Sequence, residues 1–287
     1  MKKLLCKKIK KNICLCLILL IETMLIMSCK SKTDTNLDVS NSETMSDVTQ
    51  NSNLKTAISA YDVDKEKKLS LEKADIKEEV VDISDVETGY VYQEIKYAKL
   101  SIKDGVKNEN IENALNIINE ELKQEAENFK QEYKEEIREN KSLSAVMSDF
   151  FRYSYDSTDV YVTNIDDKYF SIRVFTYTDL MGAHPTYYIS CWTFDVNTGK
   201  ELPLKDMVND KEELKSYLCE WCEKNKEEAG LFDEYKDTID AYFDDSNEYK
   251  LEYYIQDEKM YVIFQIYDIA PYAAGAIHIV IPEGLRK

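Results

Sequence analysis

Between Asn108 and Ile137, apolar residues recur at Ile111, Leu115, Ile118, Leu122, Ala126, Phe129, Tyr133 and Ile137. Steps of three and four place these side chains on one face of an α-helix, while Glu and Lys fill the other. Asn108 stands where an N-cap belongs. A helix with a single apolar stripe has to cover a second apolar surface, and the flanking sequence supplies strands. Tyr90 to Leu100 is β-rich and partly alternating. After the helix, strands are expected at Phe150–Tyr155, Val160–Asn164, Tyr169–Thr178 and Tyr187–Val196, with Gly182 and Pro185 punctuating the last connection. Lys211 to Phe243 reads as a second helical section broken at Gly230. Strands at Tyr249–Gln256, Met260–Tyr267 and Ala276–Ile281 close the chain. The class that follows is α+β: antiparallel sheets packed with one long helix and a C-terminal helical section.

Composition excludes more chemistry than it suggests. The 55 acidic residues against 37 Lys and Arg give a net charge of −18, which argues against nucleic acid as a partner. Two histidines, His184 and His278, exclude metal sites built on several imidazoles, and seven scattered glycines exclude the glycine-rich phosphate loops. No cofactor or metal is expected.

The N-terminus has the grammar of an export signal. Lysines at positions 2, 3, 7, 8, 10 and 11 precede the apolar run Ile13 to Ile21, and Glu22 interrupts before a second run at Met24 to Met27. The run is short for a membrane span, which needs about 20 apolar residues. Ile26-Met27-Ser28-Cys29 resembles the bacterial lipobox, in which the cysteine is lipidated and becomes the new N-terminus. The reading is a signal peptide over 1–28 and lipidation at Cys29; an uncleaved anchor helix is the competing reading. Both place the remainder outside the cytoplasm, attached to the membrane. Loss of residues 1–28 removes six lysines and one glutamate and deepens the net charge from −18 to −23.

Residues 30–79 are dominated by Ser, Thr, Asn, Asp, Glu and Lys and carry one aromatic, Tyr61. Such a stretch buries too little apolar surface to offset its chain entropy, so residues 29–79 read as a lipidated, flexible tether. The body is expected from about Val80, in two halves, 80–180 and 181–287.

Three pieces of the C-terminal half carry a resemblance. They are Gly182-Ala183-His184, then Phe194 to Leu202 with Leu204-Lys205-Asp206, and then Tyr267-Asp268-Ile269-Ala270-Pro271-Tyr272-Ala273-Ala274-Gly275 ending in Ile281-Pro282. Together they resemble the extracytoplasmic domain of lysozyme-sensing anti-sigma factors of the RsiV type, which also occurs beside peptidoglycan deacetylase domains. Residues from about Glu87 to Leu180 look like that family's N-terminal half. The resemblance implies a binding or sensing module for a lysozyme-like muramidase or peptidoglycan. The family's other parts have no match here: only twelve residues precede the apolar run, and two isolated histidines cannot form a deacetylase metal pair. A non-enzymatic lipoprotein is expected, with a peptidoglycan-modifying enzyme or its accessory domain as the alternative. Met181 and Pro185 stand where the family usually has glycine.

Gly182, His184, Asp268, Pro271, Tyr272 and Gly275 are accordingly the candidate binding-loop residues. Each also has a plainer reading as a turn: Pro fixes φ and Gly frees it. His278 falls inside a strand and reads as a packing residue. Cys219 and Cys222 form a Cys-x-x-Cys in mid-helix, with Cys222 on the apolar stripe; outside the cytoplasm a disulfide among Cys191, Cys219 and Cys222 stays open. Asp166-Asp167 and Asp244-Asp245 read as solvated turns rather than glycosidase carboxylates.

Overall fold

The computed structural model describes residues 67, 70–87, 90–134, 136–138, 152–244 and 251–287, all within the unit Ser52–Lys287. The signal segment, Cys29 and most of the tether lie outside the described residues, as do Phe150, Tyr249 and Asp245. Among the described residues no helix is long and apolar enough to cross a membrane.

Six strands form the larger sheet: β1 (Ile76–Asp82), β2 (Asp85–Glu87), β3 (Tyr90–Ile102), β4 (Tyr153–Ile165), β5 (Tyr169–Asp179) and β6 (Thr186–Asp195). Their order is β1-β3-β4-β5-β6, with β2 following β1 along the same edge of β3. Ser84 bridges the gap between β1 and β2, its Oγ accepting the Ile95 N–H at 2.9 Å. The ladders are antiparallel except β3–β4, which runs parallel from Gln93↔Tyr153 to Tyr97↔Ser157. A parallel pair needs a crossover, and helix α1 (Glu109–Glu132) is part of it. The all-antiparallel expectation is corrected there, within an α+β fold that otherwise stands.

Helix α1 realises the stripe. Asn108 Oδ1 accepts the Ile111 N–H at 3.2 Å, and Ile111, Ala114, Leu115, Ile118, Leu122, Ala126 and Phe129 are buried against the sheet. Asn119 adds a polar clasp, exchanging hydrogen bonds with both backbone groups of Leu100 at 2.7 and 2.8 Å. The strands expected separately at 150–155 and 160–164 are one, β4. Asp156-Ser157-Thr158-Asp159 looks like a turn but forms a bulge, in which the Thr158 N–H and hydroxyl both donate to Asp156 Oδ1.

The body begins earlier than Val80. Leu71, Ala74 and Ile76 are buried in the same core as α1, and β1 pairs with β3 from Ile76↔Ile102. The tether boundary is therefore corrected to before residue 70. Apart from Glu78, which pairs with Lys67 at 3.0 Å, the polar residues of β1 face solvent on an edge strand, which is why the stretch resembles a tether in composition.

The second part of the chain follows an isolated bridge, Phe194↔Glu201. It contains α2 (Leu204–Met207), α3 (Lys211–Ala229), α4 (Tyr235–Tyr242) and a three-stranded antiparallel sheet, β7 (Glu252–Gln256), β8 (Lys259–Phe264) and β9 (Ile277–Ile281). Asp210 caps α3 through two backbone N–H groups, and Gly230, at φ 62°, ends it in the left-handed conformation. Leu214, Leu218, Cys222, Tyr235, Ile239 and Phe243 pack on one face of the small sheet. The other face meets β5 and β6 through Ile189, Tyr254 and Ile263, with Phe175, Tyr187, Cys191 and Tyr261 around them. Arg173 is buried in this layer, its guanidinium 5.0–5.6 Å from the rings of Tyr161, Phe175 and Tyr254. The expected division at 180/181 is also corrected. It cuts between β5 and β6, which pair over ten residues from Tyr169↔Asp195 to Thr178↔Thr186.

Candidate functional site

Two connections about eighty residues apart in sequence meet in the fold. The first, residues 180–185, joins β5 to β6. Its base is clasped by the Thr178 and Thr186 hydroxyls at 2.8 Å, and the Asp179 carboxylate accepts the Met181 N–H at 2.8 Å. Met181 adopts a left-handed φ of 62° and is 50% exposed, beside Leu180 at 42%. The glycine of this loop, Gly182, has open space around its α-carbon.

The second connection, residues 265–276, joins β8 to β9. The strand expected to run to Tyr267 stops at Phe264 because Gln265 and Asp268 close a turn. Asp268 N–H donates to the Gln265 carbonyl at 3.1 Å, and Gln265 N–H returns to Asp268 Oδ2 at 2.6 Å. Tyr242 OH also donates to Asp268 Oδ2 at 2.5 Å, and Thr238 Oγ1 to the Asp268 carbonyl at 3.0 Å. Burial pushes the Asp268 carboxyl up to about 6, against the pull of those donors. Asp268 is thus committed to the loop's own backbone and faces inward; its turn reading prevails over its ligand reading. Ile269 and Ala270 plug the loop into the helical core.

The rest of the loop faces out. Pro271 leads a single 3-10 turn over Tyr272–Ala274. Gly275 follows at φ 71°, ψ −165°, a region open essentially to glycine alone. Tyr187 OH accepts the Ala276 N–H at 3.0 Å and would lie 3.2 Å from a β-carbon on Gly275. The turn reading of Pro271 and Gly275 therefore describes how the loop is shaped, while Tyr267 and Tyr272 are what it presents.

His184 packs against both rings as one corner of a three-ring cluster, in which Tyr267 and Tyr272 are themselves 5.8 Å apart. Its imidazole stacks on Tyr272 with centroids 4.0 Å apart and faces Tyr267 at 6.4 Å, with interplanar angles of 29° and 19°. Nδ1 is 2.9 Å from the Pro185 carbonyl, so that nitrogen carries the proton; Nε2, 3.1 Å from Tyr267 OH, accepts from the phenol. Tyr267 itself is held at a left-handed φ of 67° and is 48% exposed. Strain in a large non-glycine residue marks a position the surrounding fold over-determines. The result is an exposed aromatic face carrying an imidazole and two phenols, suited to stacking and hydrogen bonding.

Behind this face lies a group of residues that sequence patterning does not isolate. β6 is the last strand of the large sheet, so its outer backbone groups need partners. Gln265 supplies them in the manner of a peptide unit: Ile189 N–H donates to Oε1 and Nε2 donates to the Ile189 carbonyl, both at 2.9 Å. Two residues on, Cys191 N–H donates to Glu252 Oε2 at 2.7 Å, and Tyr188 OH approaches Oε1 at 3.3 Å. Desolvation, with Glu125 and Glu121 adding like charge, raises the Glu252 carboxyl to about 8. The only signal for either residue in the sequence is a polar side chain inside an otherwise apolar strand pattern.

The remaining candidates are structural. His278 packs with its Nδ1 3.2 Å from Tyr254 OH, and desolvation lowers its pKa to about 4. Cys191, Cys219 and Cys222 are all free thiols. Cys222 is buried in the helical core, where desolvation pushes it up to about 12, and Cys191 belongs to the separate layer between the sheets. Among the described residues no cluster of three or more His, Cys, Asp or Glu could hold a metal ion. Asp166 does form a turn, its Oδ1 accepting the N–H groups of Lys168 and Tyr169.

Residues 205–283 match the model of DUF3298, a family described as a protein of unknown function. No curated protein matches the chain. Among solved structures it is similar to a DUF3298 family member from Bacteroides fragilis NCTC 9343, with a TM-score of 0.52 and 17% identity over 74% of this chain and 93% of that one. It is also similar to a DUF3298 family protein from Pseudomonas aeruginosa PAO1, at 0.47 and 15% over 74% and 94%. The family-model match, residues 205–283, covers the second helical core, β7–β9 and the Tyr267–Gly275 loop, but not β6 or His184.

Proposed function

We propose that this chain is an exported lipoprotein, anchored through Cys29, whose body is a non-enzymatic binding module. Its contact surface is the aromatic face built by the 180–185 and 265–276 loops, and its ligand is a lysozyme-like muramidase or another cell-wall component. One observation carries the reading: two motifs far apart in sequence converge so that His184, Tyr267 and Tyr272 form one solvent-facing cluster, the imidazole stacked on Tyr272 and hydrogen-bonded to Tyr267. A fold spending left-handed conformations on Met181 and Tyr267 to hold large side chains outward has shaped that surface for contact. The RsiV-type resemblance of the motifs names the ligand class, and a cationic muramidase suits the −18 charge through electrostatic steering.

The test is surface-immobilised kinetics of the full chain against a basic lysozyme, with an equally basic unrelated protein as control. Lysozyme binding is expected to weaken at least tenfold in His184→Ala and in Tyr272→Ala, as for aromatic anchors at an interface centre. The association rate should fall steeply toward 0.15 M salt, where the Debye length is about 8 Å, while dissociation changes less. Equal binding of both basic proteins, or of parent and variants, would overturn the reading. Release of acetate or reducing sugar from cell wall by the purified chain would replace it with the enzymatic one.

A further inference from the structure

Among the described residues the small sheet has one edge covered and one open. β7 lies against the large sheet, and Ile255 N–H leaves the ladder to donate to Ser171 Oγ at 3.0 Å. Alternation along antiparallel ladders then sets every other backbone direction. Tyr254 and Glu252 bond to β8, so Met260, Val262 and Phe264 of β8 face β9 and bond to Ile281, Ile279 and Ile277. The N–H and C=O groups of His278 and Val280 consequently point outward. An independent contact agrees: Tyr217 OH, from α3, donates to the outward Val280 carbonyl at 2.8 Å. Among the described residues no strand pairs with this side of β9. The edge therefore offers the two backbone groups of His278 and the N–H of Val280, whose side chain is 37% exposed.

A groove of about 610 Å³ lies between α3 and the segment after β9, and Tyr217, which lines it, links it to this edge through the Val280 carbonyl. Glu213, Ser216, Tyr217 and Glu220 form its helical wall, at the three- and four-residue spacing of one face, with Glu212 beside them. Pro282, Gly284 and Leu285 form the opposite wall. Glu212, Glu213 and Glu220 make no ion pair among the described residues; Lys215, within electrostatic reach of Glu212, is paired with Asp240 instead.

We infer that the open edge of β9 is a docking site for an extended segment of a basic partner protein, which adds as a fourth strand and sets lysines or arginines against the Glu213–Glu220 wall of α3. The backbone groups of His278 and Val280 supply the strand pairing, as in β-augmentation, and the carboxylates select the side chains. Successive side chains of a strand alternate, so cations are needed at every second position, with β-branched or small residues between. Nature blunts open edges with lysine, proline or a covering loop; Ile277 to Ile281 carries none of these within the strand. The site uses none of the residues of the aromatic face, so its failure and that of the proposed function are separable.

The probe is a blocked heptapeptide of alternating Lys and Val, titrated into the full chain at 0.15 M salt with fluorescence anisotropy as readout. Two N-methylated forms, one carrying methyls on the odd amides and one on the even, have the same charge but each loses one bonding edge. One of them should bind at least tenfold more weakly than the parent peptide and the other much as the parent does. Val280→Pro removes an outward N–H without touching the ladder and should also cost about tenfold, with its thermal midpoint checking the fold. Glu213→Lys combined with Glu220→Lys should weaken the Lys-Val peptide and favour a Glu-Val counterpart. Equal binding of the two methylated forms would reduce the interaction to charge and overturn the inference, as would an unchanged Val280→Pro affinity. A dimer of the chain that Val280→Pro dissolves would assign the edge to a second copy and overturn it as well.

Discussion

Gln265 offers a direct test of how the two sheets are joined. It is 7% exposed and satisfies both outer backbone groups of Ile189, which is itself buried. In Gln265→Leu the volume is nearly kept but one N–H and one C=O are left without partners. Each buried orphan costs about 1–3 kcal/mol, and about 1.5 for each of the two gives about 3 kcal/mol in all. For a body of this size that corresponds to a fall of roughly 6–12 °C in thermal midpoint. Gln265→Glu separates the two bonds. The introduced carboxyl still accepts the Ile189 N–H, but when ionised it has nothing to donate to the Ile189 carbonyl, and burial disfavours its charge. Its folded pKa is thus raised above the ordinary glutamate value of about 4.3. A raised folded pKa means stability present at low pH and lost as pH climbs through that value, at up to about 1.4 kcal/mol per pH unit. Protonated, the carboxyl donates where Nε2 did. Urea unfolding of parent and variant at pH 4.5, 6 and 7.5 measures the difference at each pH, which cancels titrations the two proteins share. A Gln265→Asp268 coupling through the 2.6 Å bond is checked by repeating the series on Asp268→Asn. A leucine variant within 0.5 kcal/mol of the parent, or a glutamate variant whose deficit is the same at pH 4.5 and 7.5, would refute the edge-capping account.

Glu252 makes the parent itself pH-dependent: its carboxyl, about 8 in the fold against an ordinary 4.5, favours the protonated form, so stability should decline between pH 4.5 and 8 by on the order of 4 kcal/mol. Glu252→Gln should remove most of that decline in urea titrations, leaving the smaller loss toward pH 6 that the raised Asp268 carboxyl supplies; an unchanged slope would remove Glu252 as its main source. Ile76→Ala should cost about 2–4 kcal/mol, since Ile76 is 3% exposed in the main core, while Glu79→Ala on the exposed side of β1 stays within 0.5 kcal/mol. Indistinguishable midpoints for those two would return residues 70–79 to the tether. Gly275→Ala should lose about 1–3 kcal/mol through its φ of 71° and ψ of −165°, and a neutral result by thermal melting would mean the loop relaxes freely.

Local periodicity made much of this fold legible. The stripe on α1, the Asn108 cap, the break at Gly230 and most strands of the second half need only neighbouring residues to be recognised. What escaped is non-local. Leu71, Ala74 and Ile76 sit among polar residues and become core only because β1 pairs with β3 more than twenty residues away. The Asp156–Asp159 stretch has turn chemistry, yet Asp156 uses it to stabilise a bulge within one long strand. The parallel β3–β4 ladder follows from the crossover, which no composition announces. At the candidate site the residues of both loops were identifiable, but their meeting was not. Nor did spacing show that Asp268 turns inward while Tyr267 turns out, because only the partners Tyr242 and His184 decide those directions.

The family-matched stretch, 205–283, holds nearly all of the second core, yet Glu252 and Gln265 reach out of it to grip β6. The segment that recurs between proteins and the segment that can stand alone are therefore different lengths of chain. Grafted without Thr186–Asp195, the shorter one would arrive with a carboxyl and an amide aimed at empty water and with Tyr254 and Ile263 stripped of their cover. Any transplant of this aromatic face into another scaffold has to carry β6 along, or supply a strand whose edge those two side chains can hold.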